Sequence, residues 1–224
     1  DGTFKRTYKE FQPNACPNGR ITLGTEPTGG FKNITIATCI FDFSFGLALE
    51  TVDGAPLEDV SISNLTMREI VDCPIFIRLG ARMRAPAGTP MSTCRRINIS
   101  NVVVHNAYHK YGCIISGLPG HNIEDLELSN IQIHYAGGGT KEMANRQVEE
   151  YAKAYPEPED FGIMPAYGFF FRHVKHLKVH DVKVAFVNDE QRPPFVLDDV
   201  EDATFHHVAS QKAAGSPGFQ LNCV

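Results

Sequence analysis

Seven short segments recur along the chain, each alternating apolar and outward-facing residues. They are Ile21-Thr-Leu-Gly24, Leu47-Ala-Leu-Glu50, Ile75-Phe-Ile-Arg78, Cys113-Ile-Ile-Ser116, Phe169-Phe-Phe-Arg172, Phe195-Val-Leu-Asp198 and Phe219-Gln-Leu-Asn222. Their first residues are separated by steps of 26, 28, 38, 56, 26 and 24. The two long steps contain loop insertions, and the remaining period is that of a solenoid, in which each repeat buries its apolar face only against its neighbours.

A second run follows most of these segments in a register of its own: Asn33-ITIATCIF, Asp59-VSISNLTM, Arg96-INISNVVV, Asp125-LELSNIQI, His176-LKVHDVKV and Asp202-ATFHHVAS. Alternation with period two puts Ile34 and Ile36, Val60 and Ile62, Leu126 and Leu128, and Leu177 and Val179 on one inward face. A polar residue stands at the sixth position of every run: Thr38, Asn64, Asn101, Asn130, Asp181 and His207. Short polar residues suit a sharp bend in left-handed backbone geometry, and stacked Asn side chains can bond into a ladder. The interval between columns is nine residues from Gly24 to Asn33, Glu50 to Asp59 and Ser116 to Asp125, but four from Arg172 to His176 and Asp198 to Asp202. These offsets predict an all-β fold: a right-handed parallel β-helix of about seven rungs, a single domain over residues 1–224. Within it, residues 1–17 offer Phe4, Tyr8 and Phe11 as a cap for the first coil, whose edge otherwise pairs with missing coils or a second copy of the chain. Residues 137–165 form an inserted loop, with helix-forming composition from Thr140 to Ala154 and a stop at Pro156. The insertion reads as a surface excursion or as a lid bordering a groove.

Position four of the first column aligns Gly24, Glu50, Arg78, Ser116, Arg172, Asp198 and Asn222 in an outward stripe, its neighbours about 4.8 Å apart. Position two aligns Thr22, Ala48, Phe76, Ile114, Phe170, Val196 and Gln220, whose apolar middle requires cover by a loop, a partner or a ligand. A polar stripe along a flat parallel sheet suits an extended polymer. Arg78, Arg82, Arg84 and Arg172 suit carboxylates, which arginine forks bind bidentately, as on a uronic acid. The competing reading is a solvated ion-pair ladder of Glu50, Arg78, Arg172 and Asp198. His121, on a turn at the end of the stripe, is a ligand contact or a hydrogen-bonded turn residue. Tyr8, Tyr108, Tyr111, Tyr155 and Tyr167 are available to stack on sugar faces in a chain without Trp.

Other chemistry is poorly represented. The net charge of −5 argues against nucleic acid or an anionic membrane surface as partner, and no apolar run is long enough to span a bilayer. Six cysteines lie far apart without CxxC spacing, which argues against structural zinc; neither a disulfide pairing nor a compartment follows from them. Cys39 and Cys113 fall at inward positions. His105, His109 and His134 have no metal-ligand spacing, and His173, His176 and His180, which lie in one strand region, read with His206 and His207 as structural hydrogen-bonding groups. No cofactor is implied. The chain opens at Asp1-Gly2-Thr3 without Met or signal peptide, as a processed or excised piece does.

The stretch Gly19-RITLGTEPTGGFKNITI36 resembles glycoside hydrolase family 28, the polygalacturonase-like enzymes. The resemblance continues through Gly46-LALETVDGAPLEDVSISNLTM67, Pro74-IFIRLGARMRAP86, Ser116-GLPGHNIEDLELSNI131, Tyr155-PEPEDFG162, Pro165-AYGFFFRHV174 and Pro194-FVLDDVE201, and is strongest to a bacterial branch. It implies a pectin-acting β-helix glycosidase, secreted or periplasmic, with an acidic plant polysaccharide as substrate. The family's Asn-Thr-Asp and Gly-Asp-Asp motifs belong to coils upstream of the matched stretch. Its Gly-His-Gly motif falls on Asn18-Gly19-Arg20 and its Arg-Ile-Lys motif on Ala48-Leu49-Glu50, so the basic residues are missing. Inverting hydrolysis needs an acid and a base carboxylate roughly 6.5–9.5 Å apart. Glu50 or Asp53 with Glu26 are the candidates here. The expectation is therefore a polysaccharide-acting β-helix lacking its catalytic aspartates, whose catalytic coils precede this portion. The alternatives are a non-catalytic carbohydrate-binding module, fused or not to a catalytic domain, and a purely structural β-helix.

Overall fold

The computed structural model describes residues 19–26, 29–108, 110–213 and 215–222. Its strands run in chain order as β1 (Arg20–Leu23), β2 (Phe31–Asp42), β3 (Gly46–Thr51), β4 (Pro56–Ile70), β5 (Ile75–Leu79), β6 (Thr93–Ala107), β7 (Cys113–Ser116) and β8 (Ile123–Gly137). Two single-turn helices follow, α1 (Lys141–Ala144) and α2 (Pro158–Phe161). The chain then resumes as β9 (Phe169–Asn188), β10 (Phe195–Glu201), β11 (Thr204–His206), β12 (Ala209–Ser210) and β13 (Phe219–Asn222). The first column stacks β1, β3, β5, β7, β9, β10 and β13 in parallel, and the second stacks β2, β4, β6, β8 and β9. The result is an all-β, parallel, nearly closed solenoid. Residues 1–17, expected to cap the first coil, lie outside the described residues.

Register follows the sequence repeat. Ile21 pairs Leu47, Leu47 pairs Ile75, Cys113 pairs Phe169, and Phe169 and Phe219 flank Phe195. In the second column Ile34, Val60, Ile97, Leu126 and Leu177 share one row. Like thus stacks on like, and the rows fill a continuous core in which Leu49, Ile62, Ile77, Ile99, Leu128 and Val179 are wholly buried. Burial of such a side chain stabilises the fold by about 1.5–3 kcal/mol. Phe169, Phe195 and Phe219 form a stack with ring centroids 5.9 and 5.0 Å apart. Cys113 is buried and Cys39 partly so, both as free thiols.

The bends sit where short polar residues predict them. Thr38, Asn64, Asn101, Asn130, Asp181 and His207 all have φ between 49° and 57°. Asn33, Asp59, Arg96, Asp125, His176 and Asp202, five residues earlier, are left-handed too. These paired bends break each long strand into short flat pieces and turn the chain around the core. Asn101 donates to Asn64 at 3.1 Å and accepts from Asn130 at 2.8 Å, so the amides form the expected ladder. Replacing Asn101 by alanine should cost about 1–2 kcal/mol, because alanine adopts left-handed geometry poorly and both ladder bonds disappear. Glycine at the same position should cost less, having no backbone penalty. The midpoints of urea unfolding for the two variants test this ordering.

The insertion departs from expectation. Helix was anticipated from Thr140 to Ala154, but it is confined to Lys141–Ala144, where the Thr140 hydroxyl accepts from the Met143 amide at 3.4 Å. Beyond Asn145 the chain extends, because the carbonyls of residues 148–150 are claimed by arginines of the stripe rather than by intrahelical amides. The base of the insertion is held by a buried ion pair. Arg192 donates to both Glu190 oxygens at 2.9 and 2.8 Å and to the Met164 carbonyl at 3.2 Å, while Glu190 accepts from the Gly139 amide at 3.1 Å. Gly139 packs so closely on this pair that no Cβ fits there.

Candidate functional site

The stripe of position-four residues is present, but its centre is covered. Glu50 and Arg78 are 2% exposed and Arg172 is 3%. The strap formed by residues 148–150 crosses above the two arginines. Arg78 donates to the Ser116 hydroxyl at 2.7 Å, the Gly117 carbonyl at 3.0 Å and the Glu150 carbonyl at 2.7 Å. Arg172 reaches the carbonyls of Val148 at 2.7 Å and Glu149 at 3.2 Å, the Glu150 carboxylate at 3.1 Å and Asp198 at 3.0 Å. Burial pulls the Arg78 guanidinium down to about 10, so it remains charged at neutral pH. These arginines therefore use their forks on the strap and do not line an open groove. The apolar middle of position two is covered as well: Ala48, Phe76, Ile114, Phe170 and Val196 pack under Tyr111, Phe161, Met164 and Ala166.

His173, at the bend after Arg172, also fastens the strap. Its Nε2 lies 3.1 Å from Glu150 and its Nδ1 bonds Asp199. Burial lowers the imidazole pKa, but the two carboxylate partners outweigh it and hold the pKa above its ordinary value. For Glu150, burial works upward and is overcome by His173 and Arg172, which hold the carboxyl below the usual range. His176 and His180 likewise face carboxylates, Asp125 at 3.0 Å and Glu127 at 3.2 Å.

At the lower end of the stripe several candidate residues converge. Glu50 accepts from the Thr25 hydroxyl at 3.0 Å, and that hydroxyl lies 3.1 Å from the Tyr155 hydroxyl. Arg20 stands between carboxylates, 2.7 Å from Asp72, 3.2 Å from Glu157 and 3.8 Å from Glu50. Burial pushes the carboxyls of Glu50 and Asp72 up to about 7. Arg20, Asp72 and Glu157 carried no signal in the repeat pattern: Arg20 precedes its segment, and the two acids arrive from separate loops.

Asp53 is bound bidentately by Arg82, with Nε at 3.1 Å and a second bond through Nη2, and its Oδ1 also accepts the Arg84 amide at 3.0 Å. The Arg82 hydrogen bond holds the Asp53 carboxyl below its ordinary range. Glu26 bridges Arg82 at 3.1 Å and Arg84 at 3.5 Å, and the Arg82 guanidinium lies over the Tyr155 ring, 5.2 Å from its centroid. A shallow concavity lined by Gly24, Thr25, Glu26, Phe31 and Tyr155 opens here, above the buried Glu50. Tyr155 is 47% exposed and the Arg84 side chain 67%.

The remaining candidates lie elsewhere. Tyr167 is fully buried, edge-on to Tyr135 and Phe186, and its hydroxyl donates to the Gln211 carbonyl at 2.6 Å, so it presents no face to a sugar. Tyr111 is buried as well. His121 is an exposed turn residue whose amide and carbonyl pair with Leu118 at 2.8 and 2.9 Å. Asp198 sits at the upper end of the stripe, paired with Arg172. Among the described residues no group of three or more His, Cys, Asp or Glu is placed to hold a metal ion.

The two carboxylates at the lower site that could serve in hydrolysis, Glu50 and Asp53, are both already engaged. Glu50 is neutral below about pH 7, as a general acid must be, but it is buried and already bonded to Thr25. Asp53 is held ionised, and three hydrogen bonds from Arg82 and Arg84 engage both of its oxygens. Compared with protein-family models, curated proteins and solved structures, the chain gives no match.

Proposed function

We propose that this chain is a right-handed parallel β-helix of about seven rungs, of the polygalacturonase kind, that binds an acidic plant cell-wall polysaccharide without hydrolysing it. The observation that supports this reading is the concavity at the lower end of the stripe. An exposed tyrosine ring there offers a stacking face, Arg84 offers a guanidinium, and Thr25 and Glu26 offer hydrogen-bonding oxygens. The Glu26–Arg84 pair is solvent-exposed and so contributes little by itself, and a uronate carboxylate can replace Glu26 on the arginine at small cost. Hydrolysis is the second reading, favoured by the raised pKa of Glu50.

Affinity electrophoresis through gels containing polygalacturonate, xylan or glucan, paired with a reducing-end assay, separates the two. Retardation is expected in polygalacturonate. Arg84→Ala should weaken it several-fold at low salt, with the difference shrinking in high salt. Equal, salt-independent retardation in neutral polymers would defeat the acidic-glycan reading. Release of reducing ends that disappears in Glu50→Gln would establish the hydrolytic one.

A further inference from the structure

We propose that the outer face of the second column, centred on β9, binds an acidic polysaccharide when its histidines are protonated. This face is distinct from the Tyr155 concavity and rests on other residues. Register brings five of the chain's nine histidines onto it. His105 and His134 are row partners with ring centroids 6.3 Å apart, and His180 is the row partner of His206. His207 follows at the bend, its ring centroid 3.7 Å from that of His206. Lys178 and Lys183 lie on the same strand as His180. All of these side chains are exposed except that of His180, which is half-buried.

The neighbouring row shows what a self-satisfied surface looks like in this fold. Just before the first bend, Lys32, Glu58, Arg95, Glu124, Lys175 and Glu201 alternate in sign along the stack. Ion pairs of 3.4 and 3.0 Å join Lys32 and Arg95 to Glu58, and one of 3.0 Å joins Lys175 to Glu201. In the bend itself His176 sits between Asp125 and Asp202, at 3.0 and 3.6 Å. Beyond the bend the alternation stops. Among the described residues no carboxylate pairs with Lys178, Lys183, His105, His134 or His206. The local carboxylates, Glu127 and Asp181, are spent on His180 at 3.2 and 3.0 Å, and Asp181 also on His207 at 3.4 Å. Arg68, row partner of His105, is paired with Asp42 at 2.8 Å and adds no net charge.

Two lysines therefore balance two carboxylates on this face at neutral pH, and each histidine that takes up a proton leaves it more positive. Histidine charges over about pH 8 to 5. The Asp181 bond, and then the Glu127 bond, hold the His180 imidazole above its ordinary value, so it is already drawn toward the charged form. Adjacent imidazolium ions repel one another. A carboxylate lying between them removes that repulsion while accepting their N–H groups, so ligand binding and proton uptake reinforce each other. Lys183 and His134 share a shallow hollow with Ser210 and Gln211, a seat for one such carboxylate. Ser129, Thr204 and Gln132 stand in the same rows and offer hydroxyls and an amide to the hydroxyls of a sugar. Rows about 4.8 Å apart repeat these contacts along an extended chain.

The test is isothermal calorimetry of the full chain with soluble polygalacturonate at low salt in EDTA, at pH 7.5 and pH 5.5, in buffers of two ionisation heats. Binding should tighten about tenfold on acidification and should take up protons. His180→Gln/His206→Gln/His207→Gln, and independently His105→Gln/His134→Gln, should each remove a large part of that gain, whereas His121→Gln should remove none. Arg84→Ala should lower affinity at both pH values yet keep the gain, so failure of the Tyr155 reading and failure of this one are read separately. Glu50→Gln/Asp72→Asn should keep it too, which separates this face from the buried acids beneath the concavity. Equal affinity at both pH values, or a gain that survives both histidine variants, would overturn the proposal. So would tighter acid-dependent binding to single-stranded RNA or to phosphatidylglycerol vesicles than to polygalacturonate.

Discussion

Replacing Arg192 by methionine should destabilise the protein by about 3–5 kcal/mol, the cost of leaving one member of a buried ion pair without its partner. Arg192 is 1% exposed, and its partner Glu190 is also buried. Burial pushes the Glu190 carboxyl up, but Arg192 outweighs it and holds the group ionised. With the guanidinium gone, Glu190 keeps only amide donors, including Gly139 and Arg192 itself. The Met164 carbonyl simultaneously loses its donor. Adding Glu190→Gln should restore a good part of the loss, because a neutral amide tolerates the same burial far better than a carboxylate. Urea unfolding of the single and double variants measures both effects. A single variant within 1 kcal/mol of the parent would show that the pair does not anchor the insertion.

Stability should also fall as pH rises from about 5 to about 7.5, the reverse of what salt-bridged carboxylates produce. Glu50 and Asp72 have pKa values near 7 in the folded chain, against 4.5 and 3.8 when unperturbed. The folded state therefore binds more protons than the unfolded state between those limits. Their contribution is complete below the unfolded values and is lost as pH climbs through the folded ones. Each is worth on the order of 3 kcal/mol, and the two are not additive because they share Arg20 and Glu157. His173, held above its ordinary value, adds a loss of the same sign at somewhat higher pH. Asp53, Glu150 and Glu190, all depressed, act oppositely and withdraw their support only in stronger acid. Urea midpoints at pH 5 and pH 8 should differ clearly in the parent chain and much less in Glu50→Gln/Asp72→Asn. A parent profile that is flat, or that rises toward pH 8, would refute the assignment.

The inward half of the fold was legible because a parallel solenoid writes its core in the simplest code, period two within a strand and a fixed step between coils. Ile62, Leu128 and Val179 needed nothing more. The left-handed bends at Asn64, Asn101 and Asn130 were legible for a related reason: few side chains suit that geometry. The outward half was not. Alternation tells which way Arg78 and Arg172 point from the sheet, but not whether a segment 72 residues from the first and 23–24 from the second returns to cover them. The apolar residues at position two did signal that something must cover the sheet, and Tyr111, Phe161, Met164 and Ala166 supply that cover. Tyr167 was misjudged as a surface ring because its place lies in a loop without periodicity. Of the candidate site residues, Glu26, Asp53, Arg82 and Arg84 meet in one network around Tyr155, whereas His121 and Asp198 lie apart. The Arg20–Asp72–Glu157 cluster was invisible because its members come from three non-repeating positions.

The insertion has a mechanical consequence. A stack of repeats that touch only their nearest neighbours can open from either end, one layer at a time. Here a single segment is bonded to Arg20 through Glu157, to the Ala81 amide through the Ala152 carbonyl, to Arg78 through the Glu150 carbonyl, to Arg172 through the Val148 carbonyl, and to the Gln191 amide through the Gly139 carbonyl. These attachments run from the first described coil almost to the last. The segment works as a splint along the stack, and no coil it touches can peel away without releasing bonds held by the others. A zipper-like array is thereby bound into one cooperative body.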